Sequence, residues 1–582
     1  MRAVVQLELD DQVKTTAQTR QIIQLPANGS LAVDIPLEFA SVGRARTVWR
    51  VNAKGQPNLR DARESFVDVR HVATERRQVE FIRTRARSQD LLEQIDPALR
   101  QADGTYLVGV SNSPMAELNE AIDYLLLYPH GCVEQTSSRL IPWLLLEEYD
   151  DVFPQLDSES PEARKAVQGG INRLLSMQNY TGGLAYWPGG TAEGWASAYG
   201  GMVLAIAKER GHAVAPTSFN SLRNYLVKLV RNKQTKPDAR ALALYTLTVM
   251  GVPQPSVHEA MFVDHKELSN GTRTLLAMAV ARADGSAKMI EGLLRPQHNG
   301  RKAFDYISHA DTATAMRLLA RTTRDASHPE ATKLVGAITQ SARSGHWGNT
   351  FGNAWVIYAM AEYSRNISRG DSVQGALVWH GKEHPFELNS KQRAVTLTFN
   401  NQAGPDEPPM LLRNPGAGQL FLSVRATMRP ALDRPSAIAQ GLKVQRKFTR
   451  LADNGKPMPE AGWRVGDLVR VTLQLDAAQR TRYVAVEDGL AACLEPLNLK
   501  LRTQSGRLRE GATTYVSHRV LRKDRAVFYL NDLPRGTHHF TYLARVRAAG
   551  TTVAPSAKAE AMYEPDIVGV SASEKLKTLP IK

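Results

Sequence analysis

The period of the hydrophobic residues changes twice along this chain, and each change divides it. Residues 1 to about 70 alternate apolar and polar: Val4, Val5, Leu7 and Leu9, then Ile22, Ile23 and Leu25, then Leu31, Val33 and Ile35, then Val48, Trp49 and Val51. Turn words such as Ala27-Asn28-Gly29 and Lys54-Gly55-Gln56-Pro57 separate them, which is the pattern of a small antiparallel β-sandwich. Short strands continue to Val110. From Met115 to about Arg369 the period becomes helical, with helices expected at Ala239 to Met250, Thr272 to Ala283, Thr312 to Ala320 and Asn353 to Tyr363. Their starts, 33 to 41 residues apart, suit repeated helix hairpins, which close into an α/α toroid or stack into an open solenoid. Strands then return at Ala376 to Val378, Ala394 to Phe399 and Leu420 to Arg425, around the insert Gly404-Pro405-Asp406-Glu407-Pro408-Pro409. Strands on both sides of a helical block imply that the block is inserted into one β-domain. The expected organisation is a sandwich at 1–70, a split β-domain at 71–112 and 371–430, a helical domain at 113–370, a linker from Met428 to Gln440 and a second sandwich at 440–582.

At the start of the helical block stands Tyr128-Pro129-His130-Gly131-Cys132-Val133-Glu134-Gln135, followed by Leu140, Ile141, Leu144 and Leu145 at helical spacing. Pro129 and Gly131 mark a turn before the helix. Residues three apart on a helix share a face, with Cβ atoms about 5–6 Å apart, so the Cys132 sulfur reaches the side-chain carbonyl carbon of Gln135. The orphan amides and positive dipole end of a first helical turn are expected to lower the thiol pKa and favour the thiolate. Thiolate attack on the carboxamide with loss of ammonia would leave an internal thioester. Three other readings stand beside it: a small buried hydrophobe, half of a disulfide, or the nucleophile of a cysteine hydrolase. The last needs a base facing the sulfur, and His130, two residues away, is not on the same helical face.

Gly131-Cys132-Val133-Glu134-Gln135, preceded by Tyr128-Pro129, resembles the thioester signature of the alpha-2-macroglobulin and complement family, especially its bacterial branch. The glycine- and aromatic-rich loop Thr181 to Gly190, with Gly182-Gly183 and Trp187-Pro188, is similar to the family's Gly-Gly-aromatic-x-x-Trp-Pro word, and Gly345-His346-Trp347-Gly348-Asn349-Thr350 to another turn of its thioester domain, which favours the toroid. In the C-terminal part Gly466-Asp467, Leu494-Glu495-Pro496-Leu497-Asn498, Lys523-Asp524-Arg525 and Ala561-Met562-Tyr563-Glu564-Pro565 resemble its last macroglobulin-type domain. Ala492-Cys493 departs from the Ala-Gly usual there, and Cys493 reads as an incidental small residue.

The resemblance implies a multidomain chain. An α/α toroid carrying the thioester is inserted in a CUB-like β-domain and flanked by macroglobulin-like antiparallel β-sandwiches. It also implies a protease inhibitor that acts once. A protease cleaves a bait segment, the molecule rearranges, and the uncovered Cys132–Gln135 bond captures the protease covalently. The bait segment is expected upstream of this chain. Because water also attacks a thioester, the site must stay dry until needed, and Tyr128, Met562 and Tyr563 match positions that shield it. Glu134 is a candidate for moving the proton, or else a first-turn acid without a chemical role. Complement-like relatives use a helical-domain histidine to pass the acyl group to hydroxyls; none lies between His212 and His258. Lysine amines of the target are therefore the expected nucleophiles. The bacterial relatives imply a periplasmic or cell-envelope setting, with an inner-membrane tether upstream.

Composition narrows the alternatives. The balance of 73 basic and 58 acidic residues leaves a net charge of +15, concentrated at Arg60 to Arg87, which holds eight arginines, and at Arg502 to Arg525. Neither stretch carries a nucleic-acid motif or stacking aromatics, so a solvated face is expected rather than a nucleic-acid partner. Cys132 and Cys493 are the only cysteines, too few for a disulfide framework. No run approaches the ~18–20 apolar residues of a membrane helix. No His/Asp/Glu group has metal-ligand spacing, and no metal or cofactor is expected. That argues against the lyase or cyclase chemistry that toroids also house. A scaffold with the same domains and an inert Cys132 is the remaining alternative.

Overall fold

The computed structural model describes residues 1–26, 29–39, 43–56, 58–69, 76–157, 160–295, 310–325, 328–342, 345–365, 372–402, 408–429, 437–452, 454–459, 462–499 and 513–581. Most of the insert 404–409, part of the linker 428–440, and the arginines between 502 and 512 lie outside the described residues. The chain forms two compact units. One comprises Met1–Thr74, Leu432–Glu560 and Ile567–Lys582; the other comprises Glu75–Ala431 and Ala561–Asp566.

In the first unit, the N-terminal strands form an antiparallel sheet in the order Arg20–Gln24, Arg2–Leu9, Gly43–Ala53, Arg60–Val69. Ala3, Val5 and Leu7 bury one face, as the period of two requires. Leu31, Val33 and Ile35 alternate but form no strand, which corrects the reading of that stretch. Leu31 is half exposed, and alternation without a neighbouring strand or a covered face has nothing to stabilise it. Beside the four-stranded sheet the described residues place only the two-stranded ribbon of Val13–Lys14 and Glu38–Phe39.

The C-terminal strands of this unit fall into a six-stranded sheet, a two-stranded one of Gly550–Ala554 and Glu574–Thr578, and a four-stranded one ordered Leu442–Leu451, Leu468–Ala477, Gly536–Val546, Leu494–Pro496. Val469, Val471, Leu473, Leu475, Val484, Val486, Phe528, Leu530, Phe540 and Tyr542 make one apolar core. Inside it Arg446 pairs with Asp488 at 2.6 Å, and the Tyr542 hydroxyl donates to the same carboxylate at 2.7 Å. Cys493 is fully buried and accepts a hydrogen bond from Thr552 at 3.2 Å.

In the second unit, strands from before and after the helical block share sheets. Ala394–Asn401 and Leu420–Arg429 both pair with Asp103–Ser111, and Leu420–Arg429 also pairs with Arg76–Thr84. A companion sheet is ordered Lys382–Leu388, Val373–Trp379, Leu411–Arg413, Ser88–Asp90. Tyr106, Val108, Val110, Leu377, Phe386, Leu422 and Val424 belong to one core cluster of the two sheets. This region carries much of the arginine-rich stretch, and the solvated-face reading fails for part of it. Arg83 binds Glu117 through two bonds of 2.5 and 2.7 Å, and Glu120 is held by Arg77 and Arg425. Glu117 and Glu120 are buried, so these arginines neutralise carboxylates that a solvated stripe would not meet.

The helices are α1 (Pro97–Arg100), α2 (Asn119–Leu127), α3 (Val133–Leu145), α4 (Pro161–Leu175), α5 (Gly194–Glu209), α6 (Pro216–Arg231), α7 (Pro237–Val249), α8 (Pro255–Val263), α9 (Asn270–Arg282), α10 (Ala287–Leu294), α11 (Ala310–Thr322), α12 (Pro329–Ser341) and α13 (Thr350–Ser364). The four helices expected from periodicity are α7, α9, α11 and α13. Helix α3 packs on α5, α5 on α7, α7 on α9, α9 on α11, α11 on α13, and α13 on α3. Helices α5, α7, α9 and α13 are buried nearly all round, which explains why α7, α9 and α13 read as apolar runs in the sequence. Helices α4 and α6 bury one stripe each. Small residues let the backbones approach: a Cβ on Gly200 of α5 would come 2.6 Å from Leu184 Cδ1 and 3.2 Å from Val133 Cγ2.

Candidate functional site

Helix α2 ends at Tyr128, and Pro129 cannot continue it. Helix α3 then starts with Cys132 as its N-cap, in extended backbone at φ −71° and ψ 176°. The cap is reciprocal. The Gln135 amide donates to the Cys132 sulfur, and the Cys132 amide donates to Gln135 Oε1 at 3.2 Å. This is the geometry of a capping box with a thiol in place of the usual hydroxyl. The Val133 amide donates to the Tyr186 carbonyl at 3.0 Å, so the glycine- and aromatic-rich loop caps the same helix end. Cys132 and Gln135, each 2% exposed, thus meet as their spacing predicts.

The thiol's acidity is the reverse of what the helix end alone suggests. Burial, and after it the negative charge of Glu134, push the Cys132 pKa up to about 12. The amides of Gln135 and Glu134 and the Tyr563 hydroxyl pull it down without overcoming that. The expectation of a thiolate is therefore corrected: a buried site with a neighbouring carboxyl outweighs one turn of amide dipoles.

Glu134 has no exposed surface. Its carboxyl accepts hydrogen bonds from Ser138 Oγ at 2.6 Å, from Thr350 Oγ1 at 2.9 Å to each oxygen, and from the Tyr563 hydroxyl at 2.9 Å. Burial raises its pKa to about 7, with the three hydroxyls holding it from going higher. Ser138 Oγ lies 3.0 Å from the Tyr199 hydroxyl, and that phenol is itself pushed well above its ordinary range by burial.

The segment Ala561–Asp566 lies over the pair. Gln135 Nε2 donates to Met562 Sδ at 3.3 Å, the Tyr563 hydroxyl sits 4.0 Å from the Cys132 sulfur, and the Tyr128 hydroxyl donates to the Met562 carbonyl at 3.5 Å. Tyr128, Met562 and Tyr563 are all buried. Tyr128 also meets His130 edge-on at 5.5 Å and Tyr124 at 5.5 Å. All six residues singled out from the sequence come together. Thr350, Ser138 and Tyr199 were missed as members of the site, although Ser138 stands one helical turn after Glu134 and Thr350 closes the Trp-x-x-Thr word. Chemically, the site holds a sulfur nucleophile and a carboxamide whose oxygen is polarised by a backbone amide. Beside them are a carboxyl that titrates near neutrality and an apolar cover. Among the described residues no group of three or more His, Cys, Asp and Glu is arranged to hold a metal, and no helix is long and apolar enough to cross a membrane.

Comparison with known proteins gives a consistent outcome. Residues 441–566 match the family model of the bacterial alpha-2-macroglobulin MG10 domain. Alpha-2-macroglobulin of Escherichia coli strain K12 is 26% identical over 503 residues, covering 80% of this chain and 29% of that protein. A Nostoc homologue is 22% identical over 473 residues, covering 74% of this chain and 24% of that protein. The chain thus spans under a third of the length of these curated relatives. The crystal structure of native Escherichia coli alpha-2-macroglobulin from domain MG7 to the C-terminus shares the fold, with a TM-score of 0.80 and 21% identity, covering 100% of this chain and 94% of that one. A structure of Salmonella alpha-2-macroglobulin reacted with methylamine gives 0.81 and 22%, covering 100% of this chain and 39% of that one. The resemblance to the bacterial alpha-2-macroglobulin family read from the motif is borne out, as is a chain of antiparallel sheets with a helical region.

Proposed function

We propose, on the premise that this chain is related to the C-terminal portion of the bacterial alpha-2-macroglobulins, that it carries the covalent warhead of a protease trap: an internal thioester between Cys132 and Gln135. The observation that carries the reading is the pairing of these two side chains at the start of α3, buried beneath Tyr128, Met562 and Tyr563. Loss of ammonia joins the sulfur to the side-chain carbonyl carbon, and the apolar cover keeps water from a bond that water would break. When the cover withdraws, a lysine amine of the attacking protease takes the acyl group and the thiol is released. The protein is an inhibitor with a single-use acyl-transfer site rather than a turnover enzyme. The Salmonella relative was reacted with methylamine, an amine of the kind this chemistry consumes.

We read the helical block as an α/α toroid; the cyclic packing order of α3, α5, α7, α9, α11 and α13 supports this. The domain limits given above, a periplasmic or cell-envelope setting and an upstream tether belong to the same proposal.

Intact-protein mass tests the reading. The chain is expected to be lighter by one ammonia than its sequence requires, methylamine is expected to convert the bond to a methylamide with a free thiol, and Cys132→Ala is expected to fold normally yet form no protease adduct. Protease adducts that persist in Cys132→Ala would defeat it. One observation favours the alternative of a scaffold with an inert thiol: a sulfur held near pKa 12 is a poor nucleophile by itself. An unmodified mass with an unreactive thiol would decide for that scaffold.

A further inference from the structure

We propose that the Tyr563 hydroxyl relays the proton of the Cys132 thiol to Glu134, so that the segment covering the site also takes part in making the thioester. The inference rests on the thioester reading and adds to it a role for the cover in forming the bond. Five contacts carry it. The Tyr563 hydroxyl lies 4.0 Å from the sulfur and donates to Glu134 Oε2 at 2.9 Å, so a single group touches both the proton's origin and its acceptor. The Cys132 amide holds Gln135 Oε1 at 3.2 Å, where it can stabilise negative charge as the carbonyl is attacked. Thr350 Oγ1, bonded to both oxygens, and Ser138 Oγ, bonded to Oε1, hold the carboxyl in place. Each of these groups is buried, so solvent does not supply the proton transfer.

The step balances without another reactant. The thiol proton passes to the Tyr563 oxygen while the phenol proton passes to Glu134. The thiolate attacks Cδ of Gln135, the Cδ–Nε2 bond breaks, and the proton returned from Glu134 leaves with Nε2 as ammonia. Nothing is oxidised or reduced, and the carboxyl and phenol end as they began. A thiol whose pKa is raised by burial needs such a base, and a carboxyl that titrates near 7 can accept and return a proton at neutral pH. The groups that face Glu134 are Cys132, Ser138 and its own helix, Thr350 of α13, Tyr199 of α5 and Tyr563 of the covering segment. Tyr186 of the Gly-rich loop faces Tyr563 in turn.

The consequence is an order of events: the bond closes only after Ala561–Asp566 is seated, so a thioester never forms at an uncovered site. The test follows closure in the full chain made by cell-free synthesis, sampled over time for the loss of ammonia by intact mass. Tyr563→Phe keeps the ring and its seal but removes the relay, and Glu134→Gln keeps the shape but removes the base. Each is expected to slow closure about 10²-fold or more. The wild-type rate should rise with pH through about 7, as the carboxylate becomes available, and that inflection should vanish in Glu134→Gln. Closure of Tyr563→Phe at the wild-type rate would overturn the relay, as would a wild-type rate that ignores pH between about 5 and 8. The pH profile needs no variant, so misfolding of a mutant leaves the relay refutable. A wild type that never loses ammonia would instead sink the thioester reading itself.

Discussion

Replacing Glu134 by Gln should stabilise α3 at alkaline pH and leave it unchanged in acid. The carboxyl has no exposed surface and its pKa is raised from 4.5 to about 7. The folded chain therefore holds this proton more tightly than the unfolded chain does. Its contribution to stability is fully present below about 4.5 and is lost as the pH rises through about 7. A shift of about 2.5 units corresponds to about 3–4 kcal/mol at roughly 1.4 kcal/mol per unit. Measured on the wild type alone this would be masked. Buried His258 is depressed from 6.5 to about 4, and its contribution runs the other way, present above 6.5 and lost as the pH falls through about 4. The comparison with Glu134→Gln cancels His258, because both proteins contain it. Amide hydrogen exchange of the α3 peptide, read in both proteins at each pH so that intrinsic rates cancel, is the local assay. The ratio of protection, variant over wild type, should grow about 10²-fold between pH 4.5 and pH 8. A ratio that stays constant over that range would refute the argument that burial governs Glu134.

Two further substitutions test the packing around the site. Arg425→Ala leaves buried Glu120 and its neighbour Asp123 short of a cation, and should cost about 3 kcal/mol, near the low end for a broken buried pair because Arg77 still reaches Glu120; thermal melting reads it, and an unchanged midpoint would contradict it. Gly200→Ala drives a methyl into Leu184 and Val133, and should destabilise by about 1–3 kcal/mol in denaturant titration, whereas a neutral result would mean that α5 can step back from α3.

What the amino-acid sequence determined by itself was local. The three-residue spacing of Cys132 and Gln135 at a helix start places sulfur and carboxamide together whatever surrounds them. The long apolar runs of α7, α9 and α13 declare themselves because helices enclosed on every side have no polar face to interrupt the pattern, and α11 shows itself by the apolar stripe it buries. The strands at 394–401 and 420–429 likewise follow from alternation. The failure at Leu31, Val33 and Ile35 shows the limit of that signal: a period of two describes a face, and a strand also needs a neighbour to pair with.

Tertiary structure decided the chemistry. Thr350 and Tyr563 reach Glu134 across 216 and 429 residues of chain, and no local pattern connects them. The thiol's acidity is set in the same way. Dipoles of one helical turn can be read from the sequence and predict a lowered pKa. The burial that reverses it arises only when α5, α13 and the segment Ala561–Asp566 close around the helix end. The arginines that looked solvated were likewise reassigned by partners far along the chain, Glu117 and Glu120, because charge in a sequence does not say whether water or a carboxylate will face it.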